Sequence, residues 1–442
     1  MPMRKTALIN LGCAKNLVDS EVMLGYLDEK GYKISTEIDE ADIIIINTCG
    51  FINEARKESE SAIRKAIEAK LRAEGQKMVI VAGCYAERCP NDLRTKFPDV
   101  DRWTGVKDFN HIADIVTGRS FKKSDRCYLY DHNSPRYLST PPSWAYIKIS
   151  EGCSHKCSFC AIPLIKGDYR SRPIPSIVQE ASLLADKGIK EINIISQDST
   201  YYGRDIGLKN GLTFLLQELT QIKKIKWIRV LYTYPEEIND SLIEVLNEPN
   251  ICSYLDCPFQ HSNRTILDRM KRGMDGTQTL RLMEKMRKKI PDIALRTTVI
   301  VGFPGEEKKE FEELKNFVRA AQFDHLGAFA YSREKNTECY GLGDPVNYET
   351  KINRLREIMD IQSDNSYKKN RKYLGRQMDV IVEGRLEEDP SLLVGRTQYQ
   401  APEVDGLVYI DLIKDRSDFS GKIEKFKITG CDDYDLYGEC TT

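Results

Sequence analysis

The run SEGCSHKCSFC sets Cys153, Cys157 and Cys160 at C-x3-C-x2-C. A zinc site built from short cysteine steps takes four ligands in paired C-x2-C units. No fourth Cys or His follows here at a suitable distance. Three thiolates on one tight loop instead hold three irons of a [4Fe–4S] cubane and leave the fourth iron open. An open iron can chelate the amino and carboxylate groups of S-adenosylmethionine. One electron delivered through the cluster then cleaves the sulfonium and releases a 5′-deoxyadenosyl radical. His155, inside the loop, reads as a solvent-facing residue.

A second set is spread over the first eighty-odd residues. Cys13, Cys49 and Cys84 each end an apolar run, LINLGC, IIIINTC and VIVAGC, at spacings of 36 and 35 residues. A single buried thiol at a strand end is ordinarily packing. Three in phase are different. Neighbouring strands of a parallel sheet lie about 4.8 Å apart, so equivalent strand ends bring three thiols within roughly 5–10 Å, the scale of the corners of a second cubane. The carboxyl edge of an open α/β sheet is also where ligands bind. Helix N-termini opening behind each cysteine are expected to lower the thiolate pKa values.

The chain has thirteen cysteines, an odd number that excludes complete pairing, and structural disulfides are rare in reducing compartments. Metal or Fe–S ligation is therefore the leading reading for six of them. Of the others, Cys89 reads as a buried or surface thiol and Cys127 as part of a linker. Cys252, Cys257 and Cys339 read as core or loop residues of the central region, and Cys431 and Cys440 as tail.

The elements that must position these residues are legible as patterns. TALINLG, IIIINT and MVIVAG look like buried parallel strands. Between them, NLVDSEVMLGYLDEKG and NEARKESESAIRKAIEAK have helical spacing, which makes residues 1–120 a doubly wound parallel-sheet domain. Residues 121–142 are polar and proline-rich and read as a linker. From 143 to 370, six strand candidates (AYIKIS, EINIIS, WIRVLYTY, YLDCPF, ALRTTVIVGF and HLGAFAYS) alternate with helical patterns. They imply a partial TIM-type (β/α)6 barrel with chemistry at the carboxyl ends of its strands. Residues 373–440 switch to short strands, MDVIVEG, LLVGRT, GLVYIDL and KIEKFKITG, broken by Gly, Pro and Asp. They read as a small antiparallel β-barrel.

Overall the chain is 442 residues with a formal net charge of −1, so no global field points to nucleic acid or membrane. Its longest aliphatic stretch, Ile43 to Ile46, is far short of a spanning helix. MPMRKTALINLG does not read as a signal peptide, so a cytosolic protein without a membrane partner is expected. Charge is uneven, however. Gly375 to Thr442 carries 15 acidic against 8 basic residues, a net of −7.

The C-x3-C-x2-C loop after a first barrel strand resembles the radical S-adenosylmethionine superfamily. That resemblance implies a cofactor-packing role for Phe159, polar cofactor contacts from Ser196, Gln197 and Asp198, and a close backbone approach to adenine at Gly302 in VIVGFPGE. Pro258 to His261, PFQH, is a weaker candidate for lining the cavity, and His261 serves equally well as a structural histidine. Two thiol triads on a sheet domain, a barrel and a terminal β-module are similar to the methylthiotransferase family, with a TRAM-like final module. The resemblance implies two [4Fe–4S] clusters, one S-adenosylmethionine as radical source and another as methyl donor, and replacement of a C–H bond by C–S–CH3. An electron donor and a sulfur source are implied as partners.

Within that family, LGCAKNLVDSE, NTCGFINEA and EGCSHKCSFCAIPLIKGDYRSR resemble the branch that modifies an aspartate of ribosomal protein S-twelve, although Ala14 stands where many members carry proline. The competing branch modifies an adenosine in tRNA. An acidic terminal module repels RNA, whose phosphates dominate affinity, and attracts a basic ribosomal protein. Direct RNA binding through that module is therefore not expected. The expected chemistry is at the aspartate β-carbon, with Arg170 or Arg172 meeting its carboxylate. A reading of another class is a non-catalytic Fe–S scaffold or sulfur carrier, which needs neither VIVGFPGE nor Ser196–Asp198.

Overall fold

The computed structural model describes residues 4–411 and 419–440. Its N-terminal sheet has five parallel strands: β1 (Lys5–Asn10), β2 (Lys33–Ser35), β3 (Ile43–Thr48), β4 (Met78–Gly83) and β5 (Arg102–Trp103). Their spatial order is β2-β1-β3-β4-β5. All six residues of β3 are buried and four of them are isoleucine, because helices cover both faces of a parallel sheet. Strands β2 and β5 are too short to show a pattern in the sequence. Ile9, Ile46 and Val81 are aligned across β1, β3 and β4. These strands therefore end level, and α1 (Ala14–Asp28), α2 (Asn53–Arg72) and α3 (Cys84–Arg88) leave from one edge.

Residues 121–142 are more than a tether. Tyr130 and Cys127 are buried, and Arg136 pairs with Glu21 of α1 and with Glu180 of the central region. A Cβ on Gly25 of α1 would lie 2.4 Å from the Pro135 carbonyl, so that glycine lets the strap cross the helix. The strap holds sheet domain and barrel together through polar groups that its composition gives no reason to expect inside.

The six expected barrel strands are present as β6 (Trp144–Lys148), β9 (Glu191–Ile195), β10 (Trp227–Val230), β11 (Tyr254–Asp256), β12 (Ala294–Val301) and β13 (His325–Ala330). They form two parallel sheets, β10-β9-β6 and β11-β12-β13, joined by a parallel bridge between Ile228 and Ile251. Between β6 and β9, the pair β7 (Ser150–Glu151) and β8 (Arg170–Ser171) is antiparallel. This small hairpin brackets the C-x3-C-x2-C loop.

The terminal module is a closed barrel of β14 (Gln377–Arg385), β15 (Leu392–Arg396), β16 (Val408–Asp411), β17 (Ile423–Cys431) and β18 (Leu436–Cys440), in the order β14-β15-β16-β18-β17. One expectation is corrected. The barrel is not wholly antiparallel, because β16 and β18 run parallel. The four expected strands are joined by a fifth, β18, which carries Cys440 and which its Asp- and Gly-rich surroundings disguise. Leu412, the last residue of the GLVYIDL run, lies outside the described residues, as do residues 1–3 of the basic start. Buried Arg396 joins this barrel to β9 through Glu191 at 2.7 Å, and Arg229 meets the same carboxylate at 2.9 Å. Among the described residues, no helix is long and apolar enough to cross a membrane.

The sheet domain meets the central barrel around four buried charges. Lys148 of β6 bonds to Asp19 of α1 and to Glu151 of β7 (2.7 Å); Lys166 bonds to Asp19 at 3.1 Å and Glu151 at 3.4 Å. Two ammonium and two carboxylate groups cancel, which is the condition for burying any of them. Burial alone would push the Glu151 carboxyl up, but Lys148 and Lys166 outweigh it and hold it down at about 2. A carboxylate depressed in the folded state contributes stability above its unfolded pKa and loses that contribution as pH falls toward the folded value. Urea midpoints should therefore fall between about pH 5 and about pH 3, and Glu151→Gln should flatten part of that slope. Asp19→Ala strands two lysines on one carboxylate and should cost about 3–5 kcal/mol in urea unfolding at neutral pH.

Candidate metal centres

The three strand-end cysteines are brought to one edge. Cys13 is the N-cap of α1, Cys49 follows β3, and Cys84 opens α3. Gly12 has φ 96°, and a Cβ there would lie 2.8 Å from Cys49 Cβ and 3.0 Å from its Sγ. The glycine of LGC is thus where the first loop passes over the second cysteine. Asn16 ties the group together: its Nδ2 donates to the carbonyls of Leu11 (2.9 Å) and Thr48 (3.2 Å), and its Oδ1 accepts from Cys84 Sγ at 3.5 Å. One side chain so touches all three loops. Ser59 of α2 holds Cys49 by both backbone groups, at 3.1 and 3.0 Å.

The second triad sits on the loop inside the β7–β8 hairpin. Gly152 has φ 79°, and a Cβ would lie 2.1 Å from the Asp168 carbonyl oxygen, so only glycine lets the loop close. The Cys153 N–H donates to Gly167 O at 3.0 Å and the Cys160 N–H to Cys157 O at 3.1 Å. Ser158 pins the loop to the helix Arg264–Met270 through its N–H on Met270 O and its hydroxyl on Arg269 O. Cys153, Cys157 and Cys160 line a cavity of about 240 Å³ together with Gln197, Asp198, Tyr232, Tyr234 and Arg272. Arg272 Nη1 donates to Cys157 Sγ at 3.9 Å, and the guanidinium lies 3.8 Å from the Tyr234 ring centroid.

The two triads are neighbours. The helix Ile162–Lys166, which follows Cys160, packs on α3, which begins with Cys84, and Cys84 shares an apolar cluster with Cys127, Ala161 and Ile165. Phe51, two residues after Cys49, forms part of the wall around the second triad. Arg88 fixes that segment, donating to Gly50 O at 2.8 Å and pairing with Glu334 of the barrel at 2.9 Å.

Both donor sets are three soft thiols, the ligand type that selects Fe–S clusters. Among the described residues, no three His, Cys, Asp or Glu side chains close on a single metal ion. The expected lowering of the thiol pKa values is not found. Burial pushes Cys49 and Cys153 up to about 11 and Cys160 up to about 12, and raises Cys84 as well. Desolvation here outweighs the helix ends, so thiolates in these pockets need cationic charge brought by what they bind.

Other expected site residues divide. Gln197 and Asp198 face the cavity, as do Pro258 and Gln260. Phe159 lines both that cavity and an adjoining apolar one of about 210 Å³. Ser196 is fully buried, 3.4 Å from the Ser199 hydroxyl, and does not line the cavity. The space a Gly302 Cβ would fill is taken by Lys351, whose Cγ would be 2.4 Å away, so this glycine makes room for a lysine. His261 is structural, bonded to buried Glu306 at 3.1 Å. Arg172 is corrected outright: it is 1% exposed and spent on Glu180, Ser176 and the Lys148 carbonyl. Arg170 donates to the Cys127 carbonyl. His155 is also corrected, since its Nε2 lies 2.5 Å from Asp198 and its ring stacks on Tyr234 at 4.0 Å. Asn16, Phe51, Tyr232, Tyr234 and Arg272 carry no sequence signal, because only the folded chain brings them to the thiols.

The same three segments match known families: Uncharacterized protein family UPF0004 over residues 5–105, the Radical SAM superfamily over 147–318 and the TRAM domain over 374–441. The chain is 46% identical to the Pelobacter propionicus protein named ribosomal protein uS12 methylthiotransferase RimO, covering 99% of this chain and 98% of that one. It is 45% identical to the RimO of Aquifex aeolicus, covering 99% and 97%. The chain belongs to the RimO family. RimO of Citrifermentans bemidjiense agrees, at 44% identity over 98% of both chains. Among solved structures, the radical S-adenosylmethionine methyltransferase TsrM from Kitasatospora setae superposes with a TM-score of 0.53 at 15% identity, covering 74% of this chain and 75% of that one. That likeness is one of fold.

Asn16→Ala removes the bond network that aligns the three strand-end loops and leaves the Leu11 and Thr48 carbonyls without that donor. It should cost about 1–3 kcal/mol and, after anaerobic reconstitution, lower iron content while leaving the Cys153 loop loaded.

Proposed function

We propose that this chain is a cytosolic radical S-adenosylmethionine methylthiotransferase that inserts a methylthio group at the β-carbon of an aspartate of ribosomal protein uS12. The observation that carries the reading is the contact between the segments that bear two thiol triads, the helix Ile162–Lys166 on α3 and Phe51 in the wall around Cys153, Cys157 and Cys160, in a chain that matches uS12 methylthiotransferases end to end. In this division of labour residues 1–120 hold one cluster through Cys13, Cys49 and Cys84. Residues 121–142 are the strap, and 143–370 hold the second cluster through Cys153, Cys157 and Cys160. Residues 373–440 engage the substrate protein.

Two [4Fe–4S] clusters with S-adenosylmethionine supply the radical and the sulfur and methyl groups when bound. The chain's residues supply the rest. Phe51, Phe159 and Tyr234 wall the cavity and exclude the water that would quench a radical. Gln197 and Asp198 present polar atoms to it, with Asp198 fixed by the Thr200 N–H at 2.8 Å and by His155. The acidic terminal barrel favours a basic protein partner over RNA. An electron donor and a sulfur source come from elsewhere in the cell.

Deleting the gene and weighing uS12 and digested tRNA by mass spectrometry tests the substrate. The expected result is loss of one methylthio mass from uS12 with tRNA unchanged; loss from tRNA alone overturns the assignment to uS12. Reconstituted protein given S-adenosylmethionine and dithionite should release 5′-deoxyadenosine, and none from a loaded protein would favour the scaffold reading. Iron should be about eight per chain, falling to about four in Cys13→Ala.

A further inference from the structure

Lys15, Lys148, Lys166 and Lys351 are each more than nine-tenths buried. Three of them have carboxylate partners: Lys148 and Lys166 share Asp19 and Glu151, and Lys351 pairs with Asp344 at 2.5 Å. Lys15 differs. No carboxylate among the described residues lies within ion-pair distance of it, and its ammonium sits 3.3 Å from the centroid of the Tyr232 ring. Cys13 and Asp256 are its next ionisable neighbours. Asp256 is already engaged, accepting the Tyr232 N–H at 3.0 Å and facing Arg296 at 3.8 Å.

A desolvated cation on an aromatic face gains about 2 kcal/mol, while burying an unpaired ammonium costs several kcal/mol. Burial would lower the Lys15 pKa, but Tyr232, Cys13 and Asp256 outweigh it and raise it, so the folded chain holds a charged ammonium on a ring face without a carboxylate at ion-pair distance among the described residues. Its position says which side a ligand carboxylate would enter from. Lys15 starts beside Cys13, and its ammonium lies on the ring of Tyr232, which also lines the cavity of Cys153, Cys157 and Cys160. Tyr232 is held there in the left-handed region, φ 59°, with its carbonyl accepting the Ser199 N–H at 2.8 Å. A bulky residue keeps such a backbone only where its surroundings impose it.

We propose that Lys15 binds the side-chain carboxylate of the target aspartate and so holds its β-carbon between the two thiol triads. This rests on the uS12 reading above and assigns to Lys15 the part expected of Arg170 or Arg172. The ammonium stays protonated throughout; its task is orientation and recognition of charge.

The test is binding of two synthetic peptides to the reconstituted full chain by anaerobic calorimetry. One spans the uS12 target aspartate, and the other carries asparagine there. Wild type should prefer the aspartate peptide by about tenfold or more, the scale of one buried charge-assisted contact. Lys15→Met should lose that preference with iron per chain unchanged, and Lys15→Arg should retain it. If wild type shows the preference and Lys15→Met keeps it, the uS12 reading stands and Lys15 is not the anchor. If Lys15→Met loses iron, the cation serves the Cys13 group and the proposal is overturned. If wild type binds both peptides equally, no carboxylate is recognised and the proposal falls together with the aspartate reading.

Discussion

Two lysines and two carboxylates, Lys148, Lys166, Asp19 and Glu151, are buried where the sheet domain meets the barrel. None of the four is tolerable alone in that interior. Together they are neutral, and their geometry can be satisfied in one docking arrangement of α1 against β6 and β7. Asp19 lies in the helix that Cys13 caps, Glu151 two residues before Cys153, and Lys166 in the helix after Cys160. These ion pairs therefore link the segments that carry the two thiol triads. Such a group adds little net stability compared with an apolar isostere, but it penalises every misdocked arrangement.

Around that centre the other inter-domain contacts act in the same sense. The strap brings Arg136 to both Glu21 and Glu180, tying α1 to the barrel a second time. Arg56 and Arg88 meet Glu334 of the barrel beside the Gly50–Phe51 segment. The terminal barrel is fixed through Arg396 and Glu191. The pieces are held by buried charged contacts that resist sliding, and thiols carried by separate segments keep their places.

The thiols themselves show why the site needs its ligands. Four of the six are pushed up by burial, so the protein alone favours neutral sulfur there. Strand ends and helix starts give the cysteines direction, and glycines 12 and 152 give the loops room. Lys15 is another buried cation near these thiols, set on the Tyr232 ring with no carboxylate at ion-pair distance among the described residues.

The sequence by itself determined the long buried strands and helices and the grouping of the thiols. The phase of LGC, NTC and AGC follows from the period of βα units, and the C-x3-C-x2-C loop is local. Both survive translation into three dimensions because each depends on residues close in the chain or on one regular repeat. The six barrel strands were legible for the same reason. What only the tertiary structure decided is which polar residues face the thiols. Arg172 looked available and is consumed by Glu180; His155 looked like a solvent residue and is stacked in the cavity wall. The polarity of β18 and the burial of the strap were hidden as well. Burial and pairing are properties of long-range packing, and a charged side chain reads the same in sequence whether its partner is water or a carboxylate far away along the chain.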